Sequence, residues 1–150
     1  MKILFLCTAN IVRSFMAERI LKGRLAKIKR SDVVVSSAGM IDMQGAAGDL
    51  TAAKMLEEHG YDGDIHVSRP VSEGMIGEAD WVVVMENAHR QQLIGDYPQY
   101  EEKIRLLKSF ARDYDGVNQD IRDPYRQSVY NYRLCFSEIY MAIDGMMKCI

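Results

Sequence analysis

Short apolar runs alternate with amphipathic stretches along most of the chain. Four apolar runs have the length and composition of buried strands, at residues 3–6, 33–35, 81–85 and, more briefly, 104–107. Between them, and in a long final segment, apolar residues recur at helical spacing, at residues 14–29, 50–59, 72–78, 87–94 and 128–147. Because strands that alternate with helices form parallel sheets covered on both faces, this pattern predicts an α/β fold.

The predicted fold is a single three-layer, doubly wound domain over residues 1–150, with helices on both faces of four parallel strands. Right-handed crossover connections leave few strand orders, and we predict the order 2-1-3-4. The Gly- and Ala-rich residues 40–49 and the polar residues 111–123 are predicted loops, and residues 65–67 are a candidate short strand. In such a sheet ligands bind outside the carboxyl ends of the strands, so we expect the site at the end of strand one.

The composition is that of a globular protein without an excess of either charge. Of the 150 residues 48% are hydrophobic and 27% are charged, and the formal net charge is −2. Nucleic-acid-binding and membrane-surface proteins usually carry a basic excess, so we expect neither partner. No apolar stretch approaches the length of a transmembrane helix, and the first apolar run is too short for a secretory signal.

Cysteine and histidine are few and scattered. The three cysteines, Cys7, Cys135 and Cys149, form an odd set without a CxxC pair, which favours free thiols and a cytoplasmic location. No His/Cys pair has metal-ligand spacing, so we predict no metal and no cofactor. His66 and His89 are expected to be hydrogen-bonded structural residues rather than proton shuttles.

Residues 2–14, KILFLCTANIVRS, have the pattern of a phosphate-binding loop. An apolar strand ends at Cys7, five residues separate it from Arg13, and an amphipathic helix begins after Ser14. Backbone N–H groups of such a loop, together with the positive end of the helix dipole, attract an anion. The same field favours the thiolate of a cysteine at the start of the loop, and an arginine fork can hold two phosphate oxygens.

Several motifs in order carry a resemblance to one family. Residues 7–14, CTANIVRS, resemble the signature of the low-molecular-weight protein-tyrosine phosphatases. The further matches are Met16-Ala17-Glu18, Ser37-Ala38-Gly39, Val84-Met85-Glu86 with His89, and Asp123-Pro124-Tyr125. The order and spacing of these motifs agree over essentially the whole chain. The sheet predicted above, with order 2-1-3-4, is the flavodoxin-like one.

The resemblance implies hydrolysis of phosphotyrosine without a metal, in two steps through a phosphocysteine. Cys7 would be the nucleophile, Arg13 the phosphate clamp and Asp123 the general acid and then the base. Residues implied to bind phosphate are Thr8, Ala9, Asn10, Ile11, Val12, Arg13 and Ser14. Residues implied to support the site are Asn10, Ser14, Ser37, His66 and Pro124.

The substrate implied is a phosphotyrosine-containing protein, with a tyrosine kinase as one candidate partner. Residues expected to line the substrate cleft are Ile11, Met43, Tyr125 and Arg126. Arg126 would favour acidic residues beside the phosphotyrosine. The expected oligomeric state is a monomer or a weak homodimer.

This chain departs from the family pattern at three positions of the loop. Ala9 stands where the family usually has Gly, which requires a negative φ at that residue. Val12 stands where the family usually has a second cysteine, so we expect Cys7 to overoxidise more readily here. Phe15 stands where the family usually has Pro at the start of the helix, a change expected to cost little.

Four alternative functions stay open at the level of sequence. A phosphoarginine phosphatase branch of the family has Thr at the position of Ile11, and the larger Ile11 favours tyrosine. A thioredoxin-coupled arsenate reductase would need cysteines between Cys7 and Cys135, where this chain has none. A phosphocysteine carrier of the sugar-transport type would need neither Arg13 nor Asp123. The fourth is a catalytically inactive phosphate-binding module.

Overall fold

The computed structural model describes every residue from Met1 to Ile150 and is built on a parallel four-stranded sheet. Its strands are β1 (Lys2–Cys7), β2 (Val34–Gly39), β3 (Trp81–Val84) and β4 (Ile104–Leu106). They lie in the order β2-β1-β3-β4. All three pairings are parallel, with Ile3 opposite both Val35 and Trp81. The predicted α/β class, strand number and strand order are confirmed.

Five α-helices connect or follow the strands. They are α1 (Arg13–Lys27), α2 (Leu50–Glu58), α3 (Glu73–Glu78), α4 (Asn87–Asp96) and α5 (Val129–Met146). Two 3₁₀ segments, Pro98–Lys103 and Leu107–Phe110, flank β4 and were not expected from the apolar pattern. None of the helices combines the length and the apolar character that crossing a membrane requires.

The sheet is buried on both faces, as its continuous apolar strands predict. Along β1, Ile3, Phe5 and Cys7 belong to a core shared with α1, α2 and α5. Leu4 and Leu6 point the other way, into a smaller core shared with α3 and α4. The alternation follows from the two-residue period of a strand, and it produces the predicted three layers.

Three helix starts follow the capping chemistry of the sequence, whereas α1 and α4 have no side-chain cap. Asp49 caps α2, Ser72 caps α3 and Ser128 caps α5, each by accepting a backbone N–H of the first turn. Helix α1 begins after Val12 without any side-chain cap. Its first N–H groups are therefore available to an anion at the end of β1.

The prediction of a strand at residues 65–67 was wrong. Only Val67 pairs there, in a single antiparallel bridge with Ala47. Ile65 has a φ of 37° and is 88% exposed. Its apolar side chain is thus not buried, and a positive φ is incompatible with a regular strand.

Candidate active site

The loop after β1 lies at the switch point of the sheet, where β1 has β2 on one side and β3 on the other. Cys7 ends β1, and its carbonyl accepts the N–H of Met40 at 2.9 Å. Ile41 N donates to Thr8 O at 3.0 Å, and Asp49 N donates to Ile11 O at 2.9 Å. Three backbone hydrogen bonds therefore join the predicted loop 40–49 to the loop after β1, residues 7–13, which is called the first loop below.

The backbone of the loop turns at Asn10, which has a φ of 59°. Ala9 is not among the residues with positive φ, so the requirement that an alanine imposes there is met. Gly39 lies directly behind, where a Cβ would come within 3.0 Å of Ala9 C and of Thr8 O. The absence of a side chain at Gly39 lets the two backbones approach this closely.

A buried chain of hydrogen bonds runs from the cysteine to a carboxylate on α1. Cys7 Sγ lies 3.0 Å from Ser14 Oγ, and Asn10 Nδ2 lies 2.8 Å from Ser14 Oγ and 2.9 Å from Ser37 Oγ. Ser37 Oγ in turn donates to Glu18 Oε2. Asn10 Oδ1 accepts the N–H of Arg69 at 3.1 Å, which orients the Asn10 amide.

The chemistry of these groups decides where each proton points. The Glu18 carboxylate can only accept, so Ser37 must give its proton to Glu18 and accept from Asn10. Asn10 uses its second N–H on Ser14, whose own proton is then left for Cys7 Sγ. A hydroxyl that donates to sulfur stabilises the thiolate over the thiol. Asn10, Ser14 and Ser37, the residues expected to support the site, thus belong to one hydrogen-bond network that also includes Glu18.

Arg13 is 1% exposed and bound on several sides. Its Nη1 donates to Glu86 Oε2 at 2.8 Å and to Ile121 O at 2.9 Å. Its Nη2 donates to Thr8 Oγ1 at 3.3 Å. Burial opposes the charge of Arg13, but Cys7, Glu86 and Asp123 outweigh it, so the pKa of the guanidinium is raised. Arg13 therefore carries a permanent positive charge beside Cys7.

Asp123 reaches this site from the other end of the chain. Asp123 Oδ2 lies 3.6 Å from Arg13 Nη2, and Asp123 Oδ1 accepts the N–H of Tyr125 at 3.1 Å. The loop that carries Asp123 is tied to the end of β3, because Ile121 N donates to Met85 O at 2.9 Å. Pro124 is buried. The fold thus brings Cys7, Arg13 and Asp123 together.

His66 braces the back of the loop. Its Nε2 lies 2.6 Å from Asn10 O, and since a carbonyl only accepts, Nε2 carries the proton. The imidazole stacks on Phe15, with ring centroids 4.3 Å apart and 16° between the planes. Burial lowers the pKa of His66. Phe15, the residue that replaces the usual proline, thus has a packing partner of its own.

Three residues expected at the rim of the cleft, Met43, Tyr125 and Arg126, lie in the loop 40–49 and shortly after Asp123, and their roles in the cleft stay predictions. Tyr125 and Arg126 follow Asp123, and the Arg126 guanidinium lies over the Tyr125 ring at 5.3 Å from its centroid. Met43 is half-buried in the loop 40–49, with no hydrogen bond to the residues of the first loop. The same loop is joined to the loop after β1 through Ile41, which bonds Thr8 O, and through Asp49, which bonds Ile11 O and precedes the 85% exposed Leu50.

Roles for two residues were missed by reasoning from sequence. Glu18 and Glu86 stood in the matched motifs, but neither was assigned a task at the site. Their hydrogen bonds to Ser37 and Arg13 span 19 and 73 residues. The motif matches were the available signal, and the partners became visible only in the folded chain.

Comparison with known proteins agrees with this geometry. The family model described as "Low molecular weight phosphotyrosine protein phosphatase" matches residues 2–150. This chain belongs to that family. The family resemblance drawn from the motifs is therefore confirmed.

Relatives of this family member include proteins named for two substrates. A protein-arginine-phosphatase of Geobacillus stearothermophilus is 31% identical over 147 residues, covering 98% of this chain and 94% of that protein. The low molecular weight protein-tyrosine-phosphatase Etp of Escherichia coli K12 is 32% identical over 126 residues, covering 84% and 78%. The crystal structure of the low molecular weight protein tyrosine phosphatase from T. tengcongensis has a TM-score of 0.90 and 30% identity, covering 100% and 99%.

Proposed function

We propose that this phosphatase hydrolyses phosphotyrosine in proteins through a phosphocysteine intermediate. The observation that carries the proposal is the convergence of Cys7, Arg13 and Asp123, with the Ser14 hydroxyl 3.0 Å from the Cys7 sulfur and Asp123 3.6 Å from Arg13. A thiolate nucleophile, a cationic clamp and a proton donor are the three groups that such a transfer needs.

In the first step Cys7 Sγ attacks phosphorus and forms a P–S bond. The P–O bond to the tyrosine oxygen breaks, and Asp123 gives its proton to that oxygen as the tyrosine leaves. In the second step water attacks phosphorus and gives a proton to the Asp123 carboxylate. The P–S bond breaks, the Cys7 thiolate returns and inorganic phosphate is released.

Charge on the transferred group is stabilised by groups already in position. Arg13 can contact two oxygens through its planar fork, and the uncapped N–H groups at the start of α1 face the same place. The backbone N–H groups of residues 8–14 complete the proposed phosphate site. Since these donors need not reorganise when charge develops, they favour the transition state.

Turnover of para-nitrophenyl phosphate, with chelator present, tests this mechanism. We expect wild-type turnover, none with Cys7→Ser, and a loss of kcat of about 100-fold with Asp123→Ala, as for removal of a general acid. Cys149→Ser is the matched control, because Cys149 is exposed and far along the chain, and it should keep full activity. Turnover that survives Cys7→Ser would falsify the proposal.

The side chains expected in the cleft favour phosphotyrosine over phosphoarginine as the substrate. Ile11 is an aliphatic side chain at the loop, and Tyr125 offers an aromatic surface beside Asp123. Both suit a flat phenol ring. Phosphoarginine is the second candidate, because the relatives of Geobacillus stearothermophilus and Bacillus subtilis named protein-arginine-phosphatase are each 31% identical to this chain.

The ratio of kcat/KM for a phosphotyrosine peptide and its phosphoarginine counterpart separates the two substrates. We expect wild type to favour phosphotyrosine and Ile11→Thr to shift the ratio toward phosphoarginine by about tenfold, since a pocket methylene changes selectivity by roughly 10-fold or more. Ile11→Val, which stays aliphatic, is the control. A wild-type preference for phosphoarginine would contradict the proposal and make phosphoarginine the favoured substrate.

A peptide panel tests the cleft further. Arg126, held over Tyr125, is proposed to favour an acidic residue next to the phosphotyrosine. Arg126→Ala should remove that preference and leave kcat for para-nitrophenyl phosphate unchanged.

We place this activity in a single domain over residues 1–150, as a monomer or weak homodimer. A reducing compartment such as the cytoplasm suits its free Cys7 thiol.

A further inference from the structure

His89 takes part in a closed ring of polar contacts, three hydrogen bonds and one close approach to a carboxylate, that the mechanism above does not use. Its Nε2 lies 3.0 Å from Thr8 Oγ1 and 3.2 Å from Glu86 Oε2. The same Glu86 oxygen accepts Arg13 Nη1 at 2.8 Å, and the same Thr8 oxygen accepts Arg13 Nη2 at 3.3 Å. One imidazole nitrogen therefore meets both of the side chains that hold Arg13.

The surroundings of His89 determine which ring nitrogen carries the proton. The Glu86 carboxylate only accepts hydrogen bonds, so a proton on Nε2 is attracted to it and a lone pair there would be repelled. Nδ1 is buried and has no partner at all. A proton on Nδ1 would leave a buried N–H without a partner. It would also remove the Nε2 proton that faces Thr8 and Glu86. His89 thus donates from Nε2.

His89 is well placed to restrict Glu86. Glu86 stands just before α4 and its side chain is 30% exposed, so on its own the carboxylate could turn to water. His89 follows three residues later, on the same face of the first turn, and is 7% exposed. The charged groups around His89 are Glu86, Arg13, Asp120 and Asp123, and burial is the main cause that lowers its pKa.

We propose that His89 is a positioning residue: Nε2–H hydrogen-bonds Thr8 and attracts the Glu86 carboxylate 3.2 Å away, so that both side chains aim the Arg13 guanidinium at the bound phosphate. The inference rests on the proposed function, because it assigns Arg13 to substrate phosphate. His89 itself does not contact the reacting atoms. It acts through the two side chains between it and Arg13.

Binding of inorganic phosphate tests whether His89 positions Arg13, without requiring turnover. The measurement is titration calorimetry of the Cys7→Ser protein, alone and with a second substitution at His89. His89→Leu removes the donor while keeping a similar volume, and we expect it to raise the Kd for phosphate about tenfold, the upper end of the loss for one hydrogen bond. His89→Gln can donate from an amide at the same reach, and it should keep phosphate binding within about twofold.

A double-mutant cycle separates positioning from general destabilisation. If His89 acts through Glu86, His89→Leu should weaken phosphate binding much less in a Glu86→Ala background than in its presence. A role confined to packing would give the same loss in both backgrounds. His59→Leu is the control, because His59 packs on Phe136 and bonds Met55 O, away from the ring.

Each result has a defined meaning. Unchanged phosphate binding in His89→Leu, or equal losses in both Glu86 backgrounds, overturns the proposal. If His89→Leu does not fold, His89→Asn replaces it, since its shorter amide cannot reach Glu86 and Thr8; equal binding by the Asn and Gln variants then overturns the proposal. Wild-type protein that binds phosphate but never turns over para-nitrophenyl phosphate refutes the proposed function instead, and leaves the ring as a binding device.

Discussion

Asn10 shows how much a single residue contributes to this site. It has a φ of 59°, which Asn tolerates better than most residues, and it uses all of its side-chain amide. Its Nδ2 donates to Ser14 and Ser37, and its Oδ1 accepts from Arg69. Backbone shape and proton direction at Cys7 therefore depend on the same side chain.

Replacing Asn10 separates these two contributions. Asn10→Gly permits the positive φ but removes the amide, so we expect kcat/KM to fall by about tenfold or more as the Ser14 proton loses its direction. Asn10→Ala should lose as much activity. Its free energy of unfolding should also be about 1 kcal/mol lower than that of the Gly variant, because an alanine is strained at that φ. The checks are kinetics and urea unfolding. Wild-type activity in Asn10→Gly would show that the amide is not needed.

Val12 is predicted to determine how Cys7 responds to oxidation. Val12 is buried at the start of α1, where the family usually has a second cysteine. Cys135 is a poor substitute, since burial raises its pKa and so keeps it a thiol, whereas disulfide formation needs a thiolate. Oxidised Cys7 thus lacks a thiol partner that could trap it.

Peroxide treatment followed by thiol reduction tests this consequence. We expect wild type to lose activity irreversibly as Cys7 passes to the sulfinic acid, and Val12→Cys to recover most of its activity. Mass spectrometry of Cys7 distinguishes the sulfinic acid from a disulfide. Full recovery of the wild-type enzyme would contradict the prediction.

At the scale of elements, α5 packs closely on the 3₁₀ segment Leu107–Phe110. The contact occurs at Gly145, where a Cβ would lie only 1.8 Å from Phe110 O. Because the obstacle is backbone, a side chain at this position cannot be accommodated by a rotamer change. The close approach positions the end of β4 and the start of the loop that leads to Asp123.

Gly145→Ala should therefore destabilise the protein although alanine favours helix. We expect a loss of about 1–3 kcal/mol in the free energy of unfolding, the usual cost of overpacking. Gly95→Ala is the matched control: Gly95 also lies in a helix, α4, but nothing lies within 4 Å of its Cβ position. That variant should gain up to about 1 kcal/mol from helix propensity. Urea unfolding of both proteins is the measurement, and equal stability would refute the packing argument.

At the scale of the whole molecule, burial of two histidines links the active site to folding. His66 and His89 hold opposite sides of the first loop, at Asn10 O and at Thr8 Oγ1. Burial lowers the pKa of both from the ordinary value of 6.5. As the pH falls below that value, the unfolded chain takes up protons that the folded chain does not, so protons favour unfolding.

The free energy of unfolding is therefore expected to be constant above about pH 7 and to fall between pH 6.5 and pH 5. His66→Gln and His89→Gln should each make this decrease smaller, and the double variant should make it smaller still. Urea unfolding at half-unit intervals of pH checks the slope. Stability that rises as the pH falls through this range would contradict the assignment of both shifts.

Local sequence patterns predicted most of the fold. The apolar runs located the four strands, and Ser72, Gly60 and the periodicity of the final segment located helix ends within a few residues. Residues 65–67 failed because their apolar side chains remain exposed, which a periodicity argument cannot detect. Backbone bonds from Ile41 and Asp49 hold the loop 40–49 against the loop after β1, and a place for Met43 in the cleft stays a prediction.

By itself, the sequence determined the strand, loop and helix start from Lys2 to Ser14, since these depend on neighbouring residues and their period. Only the tertiary structure brought Ser37 to Glu18, Glu86 to Arg13, and Asp123 to 3.6 Å from the guanidinium. Those contacts join residues up to 110 positions apart. They arise because parallel strands bring their carboxyl ends, and the loops that follow them, to one edge of the sheet.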